Sequence, residues 1–107
     1  SMEHRANPQR GCPAATLAND MPRQGPAVRE AFDGGVRGMI GWLAGWLPGD
    51  EPIEREGLAG SLVAEMAGAV ALSRAVSDEA LAERLLNDSR TRIKVRAGLS
   101  AGKARSA

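Results

Sequence analysis

Few of the side chains in this sequence could act as nucleophile, base or metal ligand. Cys12 and His4 are the only cysteine and histidine. A thiolate nucleophile needs a base held at hydrogen-bond distance. His4 lies in a polar lead-in over 1–11 that is expected to be too mobile to hold one, so Cys12 reads as a structural thiol. One cysteine excludes an internal disulfide and a cysteine-cluster zinc site, and one histidine excludes a multi-histidine metal site. The carboxylate pairs Asp50-Glu51 and Asp78-Glu79 fall at expected helix starts, where capping and the helix dipole account for them without acid–base chemistry. Gly34, Gly38, Gly41 and Gly45 follow no strand and belong to no Gly-x-x-x-x-Gly-Lys-Ser/Thr loop, so they cradle no phosphate. The expectation is a protein that is not an enzyme and uses no cofactor.

Two groups invite a binding reading instead. Phe32, Met39, Trp42, Trp46 and Met66 are large, soft side chains of the kind that line apolar ligand sites, and a glycine strip beside two tryptophans is one way to leave room between helices. The same spacing is also that of plain helix core. The basic series Arg90, Arg92, Lys94, Arg96, Lys103 and Arg105, with no acid after Asp88, suits the negative end of a helix followed by a solvated tail. No aromatic residues interleave with it as a nucleic-acid surface would require.

The elements that must position these groups are read from composition and punctuation. The chain has 107 residues, 43% apolar, 25% charged and 3% aromatic, with 14 Lys and Arg against 13 Asp and Glu. That is one small domain, neither polybasic nor acidic. Alanine and glycine number 19 and 13, which favours closely packed helices over sheet. A domain of this size with such small side chains lacks the core to stand alone, so a second copy is expected. The most apolar segment, 57–72, is 16 residues long and contains Glu65, short of the roughly 20 that span a bilayer. With no signal-like opening segment, a cytoplasmic protein without a membrane partner is expected.

Proline and glycine divide the chain into about four helices, predicted at 13–21, 26–47, 53–76 and 78–97, in an all-α antiparallel bundle. A flexible segment over 1–11 precedes the domain at 12–97, and a disordered basic tail follows over 98–107. In the second helix Val28, Phe32, Val36, Met39, Ile40, Trp42, Leu43, Trp46 and Leu47 share one broad arc. The third has two apolar faces. Gly57, Ser61, Ala64, Gly68, Ala71 and Ala75 form a seam of small residues that admits close helix approach, while Leu58, Leu62, Val63, Met66 and Val70 fill a core on the other side. Leu81, Leu85 and Ile93 lie on the apolar stripe of the fourth helix, which starts at a Ser77-Asp78-Glu79 cap and stops at Gly98.

The run Gly11-Cys12-Pro13-Ala14-Ala15-Thr16-Leu17-Ala18-Asn19-Asp20, then Pro26-Ala27-Val28-Arg29-Glu30-Ala31-Phe32, an Ala-Gly-Leu-rich helix, and Arg74-Ala75-Val76-Ser77-Asp78-Glu79-Ala80-Leu81 resemble, in order and spacing, the carboxy-terminal half of TetR-family transcriptional regulators over about residues 10 to 97. The resemblance implies a helical domain that binds a small, often apolar effector and forms a homodimer. Its last two helices would pair with their copies in a four-helix bundle, with Gly57, Ser61, Ala64, Gly68, Ala71, Ala75, Leu81, Leu85 and Ile93 at the interface. Phe32, Met39, Trp42, Trp46 and Met66 would be the effector-lining candidates. Operator DNA would be met only through a helix-turn-helix domain that these residues do not include. The alternative is a helical dimerisation module with no ligand, pairing with itself or with a full-length regulator.

Overall fold

The computed structural model describes residues 18–98. Helices α1 (Pro26–Ala44), α2 (Pro52–Ala75) and α3 (Glu79–Arg96) follow a short 3-10 turn at Met21–Arg23, with no strand among the described residues. The all-helical expectation holds. Three helices stand among the described residues; most of the first predicted span, 13–21, lies outside them. Within them, Pro22 stands in the 3-10 turn, whose backbone closes through Arg23 N–H to Asp20 and Gln24 N–H to Met21.

Helix boundaries follow local chemistry. Pro26 and Pro52 occupy first-turn positions, where a missing N–H costs nothing. α1 stops three residues short of the predicted Leu47. Trp46 N–H bonds Leu43 O at 2.9 Å and Leu47 N–H bonds Ala44 O at 3.2 Å, a tighter i→i+3 pattern that turns Leu47 into the core, where it is buried. Gly49 has φ +128°, open to glycine alone, and Arg55 Nη1 donates to its carbonyl at 2.6 Å, tying the turn to the start of α2. At α3 the cap is Asp78, whose carboxylate accepts from Ala80 N–H at 2.9 Å and Leu81 N–H at 3.3 Å. Gly98, at φ +79°, ends that helix as predicted.

α2 lies in the middle and packs against both neighbours. The core forms where the end of α1, the start of α2 and the end of α3 meet, from Ala44, Leu47, Ala59, Leu62 and Ala97, flanked by Ile40, Leu43, Leu58 and Ile93. Val63, Ala69, Ala82 and Ser73 are buried further along. Ser73 keeps its hydroxyl satisfied by donating to Val70 O at 2.8 Å. The arrangement is flat, 43 × 37 × 17 Å across its Cα atoms, with a radius of gyration of 15.3 Å, against about 12–13 Å for a compact chain of this size. Among the described residues, only Leu47, Leu62 and Val63 of the buried apolar side chains are larger than alanine.

Candidate functional site

At 3.6 residues per turn, the small-residue seam and the core-forming side chains of α2 fall on opposite sides of the helix. The structure gives them opposite environments. Ala59, Leu62, Val63, Ala69 and Ser73 are buried, and Met66 and Val70 half-buried. Across the helix, Gly57, Ser61, Ala64 and Ala75 are exposed, and Gly68 and Ala71 half-buried. A Cβ added at Gly57 or Gly68 would meet nothing within 4 Å. No other part of the described chain approaches those two backbones closely, so their lack of a side chain serves no contact within it. Leu72, 54% exposed, stands beside the seam.

Charged and polar groups brace one flank of this face. Arg96 Nη1 donates to Glu65 Oε1 at 2.6 Å and its Nη2 to Ser61 Oγ at 2.5 Å, while Ser61 Oγ donates to Leu58 O at 2.9 Å. These bonds pin the end of α3 to the first half of α2. Exposure of both partners limits the ion pair to well under about 1 kcal/mol, so it fixes geometry more than it stabilises. Of the α3 residues expected at a paired interface, Leu81 is exposed and Leu85 half-buried. Ile93 instead packs on the core cluster within the chain.

Of the five candidate ligand-lining residues, Phe32, Met39, Trp42 and Trp46 lie on or just after α1 and Met66 on α2. Trp42 and Trp46 are 68% and 72% exposed, with ring centroids 6.1 Å apart and planes inclined at 57°. Val28 is also exposed, so the predicted arc of α1 splits: Ile40, Leu43 and Leu47 face the core while Val28 and Trp46 stand roughly a quarter turn away and Trp42 roughly a third of a turn or more. Phe32 and Met39 are half-buried. Gly34, Gly38 and Gly41 have open space where a Cβ would be. Met66 alone of the five lines a hollow of about 430 Å³ between α2 and α3, together with Ala69 and Val70 from α2 and Leu86, Ser89, Arg90 and Ile93 from α3. Sequence reasoning missed Leu86, Ser89 and Arg90 as a group; their only signal is spacing at 3 and 4 on one side of α3.

Among the described residues no set of three or more His, Cys, Asp or Glu is grouped to hold a metal. α2 is long and apolar enough to cross a membrane by length and composition, with a mean hydropathy of 1.2 over its best 18-residue window. Comparison of the chain with known family models, with curated proteins and with solved structures finds no match.

Proposed function

We propose that this chain is a self-pairing helical module, the ligand-sensing and dimerisation portion of a TetR-like transcriptional regulator. The observation that carries the pairing is the position of the small-residue seam: an apolar, nearly side-chain-free strip on the outer side of the central helix, opposite the face on which the core is built. Strips of this kind let two helices approach closely, so that α2 and α3 meet their copies in a four-helix arrangement with Leu81 and Leu85 at its edge. The core of the described residues supports the same reading, since three buried apolar side chains larger than alanine supply little of the burial a domain needs.

The regulatory part rests on the sequence resemblance. An effector that prefers one spacing of the paired helices shifts the separation of two DNA-binding heads and thereby operator affinity. Operator contact belongs to a helix-turn-helix domain, not to residues 18–98.

Folding coupled to pairing has a direct signature. The midpoint of thermal unfolding should rise with protein concentration over a hundredfold range, because mass action favours the paired state. A midpoint indifferent to concentration would contradict the pairing.

A further inference from the structure

We propose that the hollow between α2 and α3 binds an amphipathic carboxylate, its apolar part against Met66, Val70, Leu86 and Ile93 and its carboxylate on the Arg90 guanidinium. This rests on the ligand-sensing reading above and assigns that ligand a chemical class and a place. The volume, about 430 Å³, lies in the range of small-molecule sites, which are mostly apolar with a few fixed polar groups. The walls are a thioether and aliphatic side chains, and the polar groups are Ser89 and Arg90 alone.

The charge on Arg90 selects the ligand's sign. Its neighbours at three and four residues along α3 are Leu86, Asn87, Ile93 and Lys94, none acidic. The α2 wall contributes Met66, Ala69 and Val70, also without an acid. Glu65, next in sequence to Met66, is engaged by Arg96 at 2.6 Å, and Asp88 is on another side of α3 by the helical period. A cation without a carboxylate partner at an apolar hollow is complementary to an anion carrying an apolar tail, and a guanidinium binds a carboxylate through two parallel bonds. The Ser89 hydroxyl supplies a further donor. The hollow lies on the core side of α2, away from the seam, so binding and pairing do not compete for one surface.

Isothermal titration of the full chain with sodium decanoate and decyltrimethylammonium, each below its micelle concentration, and with decanol below its solubility limit tests this. Decanoate should bind, the cation should not, and decanol should bind several-fold more weakly than decanoate. Arg90 is exposed at the rim of the hollow, so Arg90→Gln should weaken decanoate about threefold to fivefold. Arg90→Lys, which keeps the charge but not the paired donors, should bind decanoate with an affinity between those of the parent and Arg90→Gln, and Arg92→Gln, on the other side of α3, should leave it unchanged. Far-UV circular dichroism of each variant confirms its helicity. No heat with decanoate, equal binding of the cationic detergent, or equal loss in the Arg90 and Arg92 variants would overturn the proposal. A paired chain indifferent to decanoate refutes this inference alone, whereas an unpaired chain that binds decanoate through Arg90 refutes the pairing alone.

Discussion

At the scale of single residues, environment decides what each side chain contributes. Leu62 has no exposed surface and sits where three helix segments meet, so Leu62→Ala should destabilise by about 2–5 kcal/mol through lost burial and an unfilled cavity. Trp42→Ala removes a larger side chain from an exposed edge and should cost less than about 1 kcal/mol. Urea unfolding of both variants at one fixed protein concentration checks the contrast, and equal losses would mean the indole is packed. Asp78→Ala should cost about 1 kcal/mol, since two N–H groups at the start of α3 lose their acceptor; Asp78→Asn should retain most of that stability. Trp42 and Trp46 should both be quenched by soluble iodide, and shielding of either would show that something covers that edge of α1.

Among the elements, α1 carries an unusual load of glycine for a helix of 19 residues. Gly34 and Gly38 are exposed, with open space where a Cβ would stand. Alanine at either should stabilise by roughly 0.5–1 kcal/mol through helix propensity. Destabilisation by alanine would instead reveal close approach of another surface to that strip. Most helix limits were legible in the sequence to within a residue because they are written in local chemistry, a proline in the first turn at Pro26, a cap at Ser77-Asp78 and a left-handed glycine at Gly98, whereas the end of α1 was placed three residues late, since the i→i+3 turn that carries Leu47 into the core is set by packing. The two faces of α2 were legible for a similar reason, as periodicity separates small from large side chains within one element. Other features depend on how elements meet. An indole counts as apolar in a helical wheel, yet Trp42 and Trp46 lie at the margin of the arc, where the angle of α1 against α2 decides their exposure. The hollow joins Met66 to Leu86, Ser89 and Arg90 across two helices, and spacing within either helix carries no record of that juxtaposition.

For the whole molecule, the same composition that makes the helices easy to read leaves them thinly supported. Alanine and glycine bring backbones close but bury little area, so a flat set of three helices 17 Å deep has few large side chains enclosed. A second copy laid on the outer side of α2 would bury Gly57, Ser61, Ala64, Gly68, Ala71 and Ala75 and add apolar contact to the little that the described residues make among themselves. Gly68 lies near the middle of that seam, and a Cβ there would meet nothing within 4 Å among the described residues. Gly68→Leu therefore separates the two surfaces: it adds a good helix former without disturbing the internal core, and it places bulk where the partner must come close. The most direct test is sedimentation equilibrium of the parent and Gly68→Leu over a wide concentration range. A tight dimer in the parent that becomes a helical monomer in the variant is the predicted result. A parent that stays monomeric, or a dimer that Gly68→Leu leaves intact, would contradict pairing through this face.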